Sequence, residues 1–89
     1  MALASTKICL QKTLKEGLRR CVYRRWEAEV RGNVLITKTT ELERMYRGNT
    51  PYPTGKPRRR ILQYQTKAAC LAALGSAIHR RLRQGYSAA

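Results

Sequence analysis

Eighty-nine residues hold one domain and leave no room for a second; a chain this short buries only about 60 to 65% of its unfolded surface, so its core must be economical. A hydrophobic content of 43% without a long Ser, Gly or Pro tract favours a folded chain over a disordered one. Nineteen Lys and Arg stand against five Glu and no Asp, a net charge of +14, and self-repulsion on that scale is most easily sustained when the usual partner is a polyanion, with DNA expected first and RNA second.

The first ten residues lack an apolar h-region and a small-residue cleavage site, which excludes a secretory signal and points to the cytoplasm, at the nucleoid in a bacterium or in the nucleus of a eukaryote. Residues 7–14 alternate partly and stop at Lys15-Glu16-Gly17, predicting a first strand. Over residues 21–30, Val22, Trp26, Ala28 and Val30 fall on one face and Tyr23, Arg25, Glu27 and Glu29 on the other, with Arg24 interrupting the apolar side. Arg31-Gly32-Asn33 reads as a turn into Val34-Leu35-Ile36-Thr37, so the pair forms a hairpin.

Residues 40–45 suit a helical turn, and the glycines and prolines between Arg47 and Pro57 exclude regular structure, leaving a long basic loop over residues 44–58. Loops of this length in a small domain usually carry function. Ile61, Leu62 and Tyr64 give a late strand, and Thr66 caps a helix in which Leu71, Leu74, Ile78 and Leu82 form the predicted apolar stripe, packed on Trp26 and on Val34 or Ile36. Gly85 ends that helix. Its uncharged portion, residues 68–78, is far shorter than the roughly 20 residues a membrane span requires.

The hairpin around Arg25-Trp26-Glu27-Ala28-Glu29-Val30-Arg31-Gly32-Asn33, the late strand and a helix closing on Arg83-Gln84-Gly85-Tyr86 resemble the WGR domain of DNA-dependent poly(ADP-ribose) polymerases and small bacterial proteins, over residues 8–86. The resemblance implies an α+β fold, a small antiparallel sheet packed against one C-terminal helix, and DNA binding. The Trp-Gly-Arg triplet that names the family is absent; Tyr46-Arg47-Gly48 is its nearest counterpart, so the resemblance carries over Arg47, with Tyr46 in place of the aromatic.

For a phosphate-binding surface the sequence offers Arg47, Lys56, Arg58, Arg59 and Arg60, with Arg80, Arg81 and Arg83 in the last helical turn and Tyr46 and Tyr52 as loop aromatics. On a strand, at most two of Arg58, Arg59 and Arg60 share a face. Each group also has a plainer reading: arginines protect a sheet edge, and those at a helix end favour its dipole. Trp26 reads as core. Cys9, Cys21 and Cys70 form no CxxC and, with His79 as the single histidine, no zinc site; they read as structural thiols in a reducing compartment. No nucleotide, protease or hydrolase motif occurs, so neither an enzyme, a cofactor nor a small-molecule substrate is expected. Two functions fit: a nucleic-acid binder gripping the phosphate backbone of DNA with little sequence preference, or a small adaptor or inhibitor docking on an acidic protein or nucleoprotein complex.

Overall fold

The computed structural model describes residues 6–17, 20–45 and 51–88. The strands are β1 (Thr6–Glu16), β2 (Arg20–Arg31), β3 (Val34–Met45), β4 (Tyr52–Pro53), β5 (Arg58–Gln63) and β6 (Ser87–Ala88), with one helix, α1 (Lys67–Arg83), between β5 and β6. They form an antiparallel sheet ordered β4-β3-β2-β1-β6. Because β2 runs along one edge of β3, both β4 and β5 occupy the other, β5 beside Val34–Thr39 and β4 beside Leu42 and Glu43. A small antiparallel sheet packed with one C-terminal helix is the α+β architecture expected from the sequence.

Residues 40–45 differ from expectation: they extend β3 instead of turning into a helix. Their strand pairs with the first half of β2 from Arg20 to Arg25. There Arg24 donates to Glu41 at 2.9 Å, Arg20 reaches Glu43 at 3.4 Å, and Leu42 and Tyr23 become buried opposite each other. A helical turn would forfeit every one of these cross-strand contacts. The segment that follows also contributes strand, since Tyr52 and Pro53 pair with β3; proline is tolerated there because this is the edge of the sheet.

The hairpin turn decides which residues meet the helix. Gly32 takes a positive φ of 61° and, with Asn33, makes a two-residue connection that sets Arg31 opposite Val34 and Val30 opposite Leu35. Since Val30 and Trp26 face α1, Leu35 must face it too, and Val34 and Ile36 turn to the opposite side. The predicted contact of the helix with Val34 or Ile36 is therefore replaced by one with Leu35. Leu10, Trp26, Ala28, Val30, Leu35, Cys70, Leu74 and Tyr86 form one buried cluster, with Ile8, Leu62, Tyr64, Ala73, Ala77 and Ile78 packed around it.

On α1 the buried stripe is rotated from the one predicted. Cys70 and Leu74 are buried, with Ala73, Ala77, Ile78 and Arg81 half-buried beside them, while Leu71 and Leu82 remain exposed. Small residues at 70, 73 and 77 let the helix lie close over the broad Trp26 ring, so the line through them, and not the line of largest side chains, becomes the contact. Both helix ends match expectation. The Thr66 hydroxyl accepts from Ala69 N at 3.1 Å, and Gly85, at φ 96°, permits Gly85 N to donate to Leu82 O and Tyr86 N to Arg81 O, the paired bonds of a Schellman end.

All three cysteines are free thiols. Cys9 lies opposite Glu27, and the stretch of β2 from Cys21 to Glu27 is about 20 Å long, well beyond disulfide reach. No group of three or more His, Cys, Asp and Glu able to hold a metal occurs among the described residues. None of their helices is long and apolar enough to cross a membrane.

Candidate nucleic-acid interface

β5 alternates its side chains across the sheet edge. Arg58 lies opposite Thr39, Arg60 opposite Thr37 and Leu62 opposite Leu35, on the helix side; Arg59 and Ile61, opposite Lys38 and Ile36, point away. On α1, Arg80 and Arg81 continue the flank begun by Ala73, Ser76 and Ala77. A groove of about 430 Å³ runs between these two elements, with Arg58 and Arg60 on one wall, Arg80 and Arg81 on the other, and Trp26, Leu35 and Leu62 in its floor. Thr39, Arg58 and Arg81 also line a second recess of about 570 Å³, together with Arg24, Lys56, Glu41 and Tyr86, among others.

Arg81 joins the two recesses and is held by the fold on both sides. Its guanidinium carbon lies 5.3 Å from the Trp26 ring centroid and 5.8 Å from that of Tyr86, within cation–π range. The helix end is the cause: Arg81 and Tyr86 are the third-last helical residue and the second residue past the cap, the two positions a Schellman end brings together. Arg81 also reaches Gln84 Oε1 at 3.3 Å, while its buried Nε has no hydrogen-bond partner among the described residues. An incoming anion would meet the terminal nitrogens of a cation whose position is already fixed, with little ordering cost. Nearby, the Glu41 carboxylate, and secondarily the Tyr86 hydroxyl, hold the Arg24 guanidinium pKa above its ordinary value, so this charge is secure at any physiological pH.

No protein-family model, curated protein or solved structure matches the chain.

The predicted site residues divide into four groups. Arg58, Arg60, Arg80 and Arg81 come together in the groove, and Lys56 joins them at its mouth. Arg59 does not: it lies on the opposite face with Lys7, Lys38, Glu27 and Glu29. Arg83 sits on the outer side of α1 beside His79 and Gly75, and Tyr52 lies exposed on β4 at the sheet edge. Arg47 and Tyr46 fall outside the described residues. Sequence reasoning missed Arg24 and Glu41 as groove residues. Arg24 carried a signal, since it interrupts the apolar face in phase with Trp26; Glu41 carried none while its segment was read as helical.

Proposed function

We propose that this protein binds nucleic acid, DNA before RNA, by gripping a phosphate backbone in the groove between β5 and α1. One observation carries the reading: four arginines from elements distant in sequence, Arg58 and Arg60 of β5 and Arg80 and Arg81 of α1, line a single groove. Guanidinium groups bind phosphate oxygens through paired hydrogen bonds, and a row of them on facing walls suits a repeating anion better than an isolated one. The net charge of +14 supplies long-range attraction toward such a partner. Backbone contacts carry no sequence information, so binding is broadly tolerant of sequence. A WGR-like scaffold is part of the same reading, supported by the hairpin, the late strand and the Gly85-Tyr86 helix end; the role of Arg47 at DNA ends rests on the family resemblance alone. Three free thiols suit a reducing compartment, the cytosol, nucleoid or nucleus.

The test is a salt titration of binding to labelled duplex and single-stranded DNA, followed by fluorescence anisotropy. Each phosphate neutralised contributes about −0.9 to the log-log slope on duplex and about −0.7 on a single strand, so four arginines give a slope of about −3 to −4. A slope close to zero would overturn this reading in favour of docking on an acidic protein.

A further inference from the structure

Arginine and lysine only donate hydrogen bonds, so a groove built from them alone can hold phosphate but cannot read a base that presents donors. The recess at the Arg24 end departs from that rule, because Glu41 brings a carboxylate into it beside Thr39, Gln84 and Tyr86. Among the described residues it is the single acid lining either part of the groove. Its side chain is 48% exposed; Oε1 takes the Arg24 bond at 2.9 Å, and Oε2 makes no hydrogen bond among the described residues.

We propose that this recess is a pocket for one unpaired guanine base, with Glu41 as the residue that selects it. The inference rests on the groove being a nucleic-acid site, and it adds the strand form and the base. The free Oε2 of Glu41 can only accept, so a group that pairs with it must offer donors. Guanine presents N1–H and the N2 amino group side by side, one for the free Oε2 and one for the second lone pair of Oε1, whose first takes the Arg24 bond. Cytosine and adenine offer one amino group each, and thymine offers N3–H flanked by two carbonyl oxygens that the carboxylate opposes. A Watson–Crick duplex hides this edge, so the base must come from a single strand.

The plainer role for Glu41 is to pair Arg24 across the strands. Glu43 supplies the comparison: two residues along the same strand it pairs Arg20 at 3.4 Å and is not among the groove-lining residues. The experiment measures anisotropy with labelled twelve-nucleotide thymine strands carrying one central guanine, inosine or thymine. The guanine strand should bind about fivefold to tenfold more tightly than the all-thymine strand, with inosine, which lacks the amino group, in between. Glu41→Gln should bring the guanine and thymine strands together without weakening the thymine strand, and Glu43→Gln, which removes the same charge, should preserve the preference. Equal binding of guanine and thymine strands by the native protein, or a preference surviving in Glu41→Gln, overturns the base pocket while the backbone groove stands. Failure to bind any strand at low salt removes the nucleic-acid reading itself and the pocket with it.

Discussion

The two faces of the sheet use the same residue types for different ends. On the helix side, Trp26, Ala28, Val30 and Leu35 are buried beneath α1, and Arg58 and Arg60 extend that face into a groove where every close basic neighbour adds to one field. On the opposite side, Arg59 stands among Lys7, Lys38, Glu27 and Glu29, with Ile61 66% exposed beside it. The two glutamates offset two of those three cations. Glu29 is further committed to Arg31, 2.7 Å away, which holds its carboxyl below the usual range. An arginine count therefore says little; one covering helix, placed over one face, separates a focused charge from a mostly offset one.

The largest effects should come from breaking the covered face. Leu35→Ala removes a fully packed side chain and should cost about 2 to 5 kcal/mol in urea denaturation, whereas Ile61→Ala, across the sheet edge on the open face, should cost less than about 1 kcal/mol. Similar losses from both would mean the two faces are not packed differently. Next comes binding. Arg58→Gln with Arg60→Gln should flatten the salt slope by about 1.4 to 1.8 units with folding intact, while Arg59→Gln should move it by less than about half a unit. If Arg59 matters as much as its neighbours, the strand's alternation does not govern the contact.

A finer probe keeps the charge and changes its shape. Arg81→Lys leaves the count of cations unaltered but loses the planar fork and the stack between Trp26 and Tyr86. Affinity should fall about threefold to tenfold, as for one ordinary hydrogen bond, with the salt slope unchanged; an unaltered affinity would reduce Arg81 to a point charge. The smallest effect concerns Cys9 on the open face. Burial pushes its thiol pKa up, with Arg25 opposing and Glu27 assisting. Its folded pKa being the higher, the associated stability is present below the unfolded value and fades as pH rises through the folded one. The pH midpoint of Cys9 alkylation by iodoacetamide should accordingly lie above that of a free cysteine, and a midpoint below it would show that Arg25, not burial, dominates there.

Much of this molecule was legible in local patterns. The hairpin at Gly32, the late strand, the Thr66 cap and the Gly85 end each follow from residues a few positions apart, because turns and caps are decided by short-range backbone chemistry. The antiparallel sheet with a single C-terminal helix followed from their order. The even spacing of Arg58 and Arg60 also announced that they, and not Arg59, would share a side.

What the sequence left open depended on partners far along the chain. Residues 40–45 became strand only because β2 was long enough to pair with them, and that pairing brought Arg24 and Glu41 together and into the groove. The buried stripe of α1 passed through Cys70, Ala73 and Ala77 because the surface it met held Trp26, a shape that helical periodicity alone does not reveal. The sequence by itself determined the hairpin, the late strand, the helix with its caps and the excess of positive charge, all set by neighbours along the chain. Only the tertiary structure decided which arginines face one another, because that depends on the rotation of α1 against the sheet, and the rotation is settled by packing.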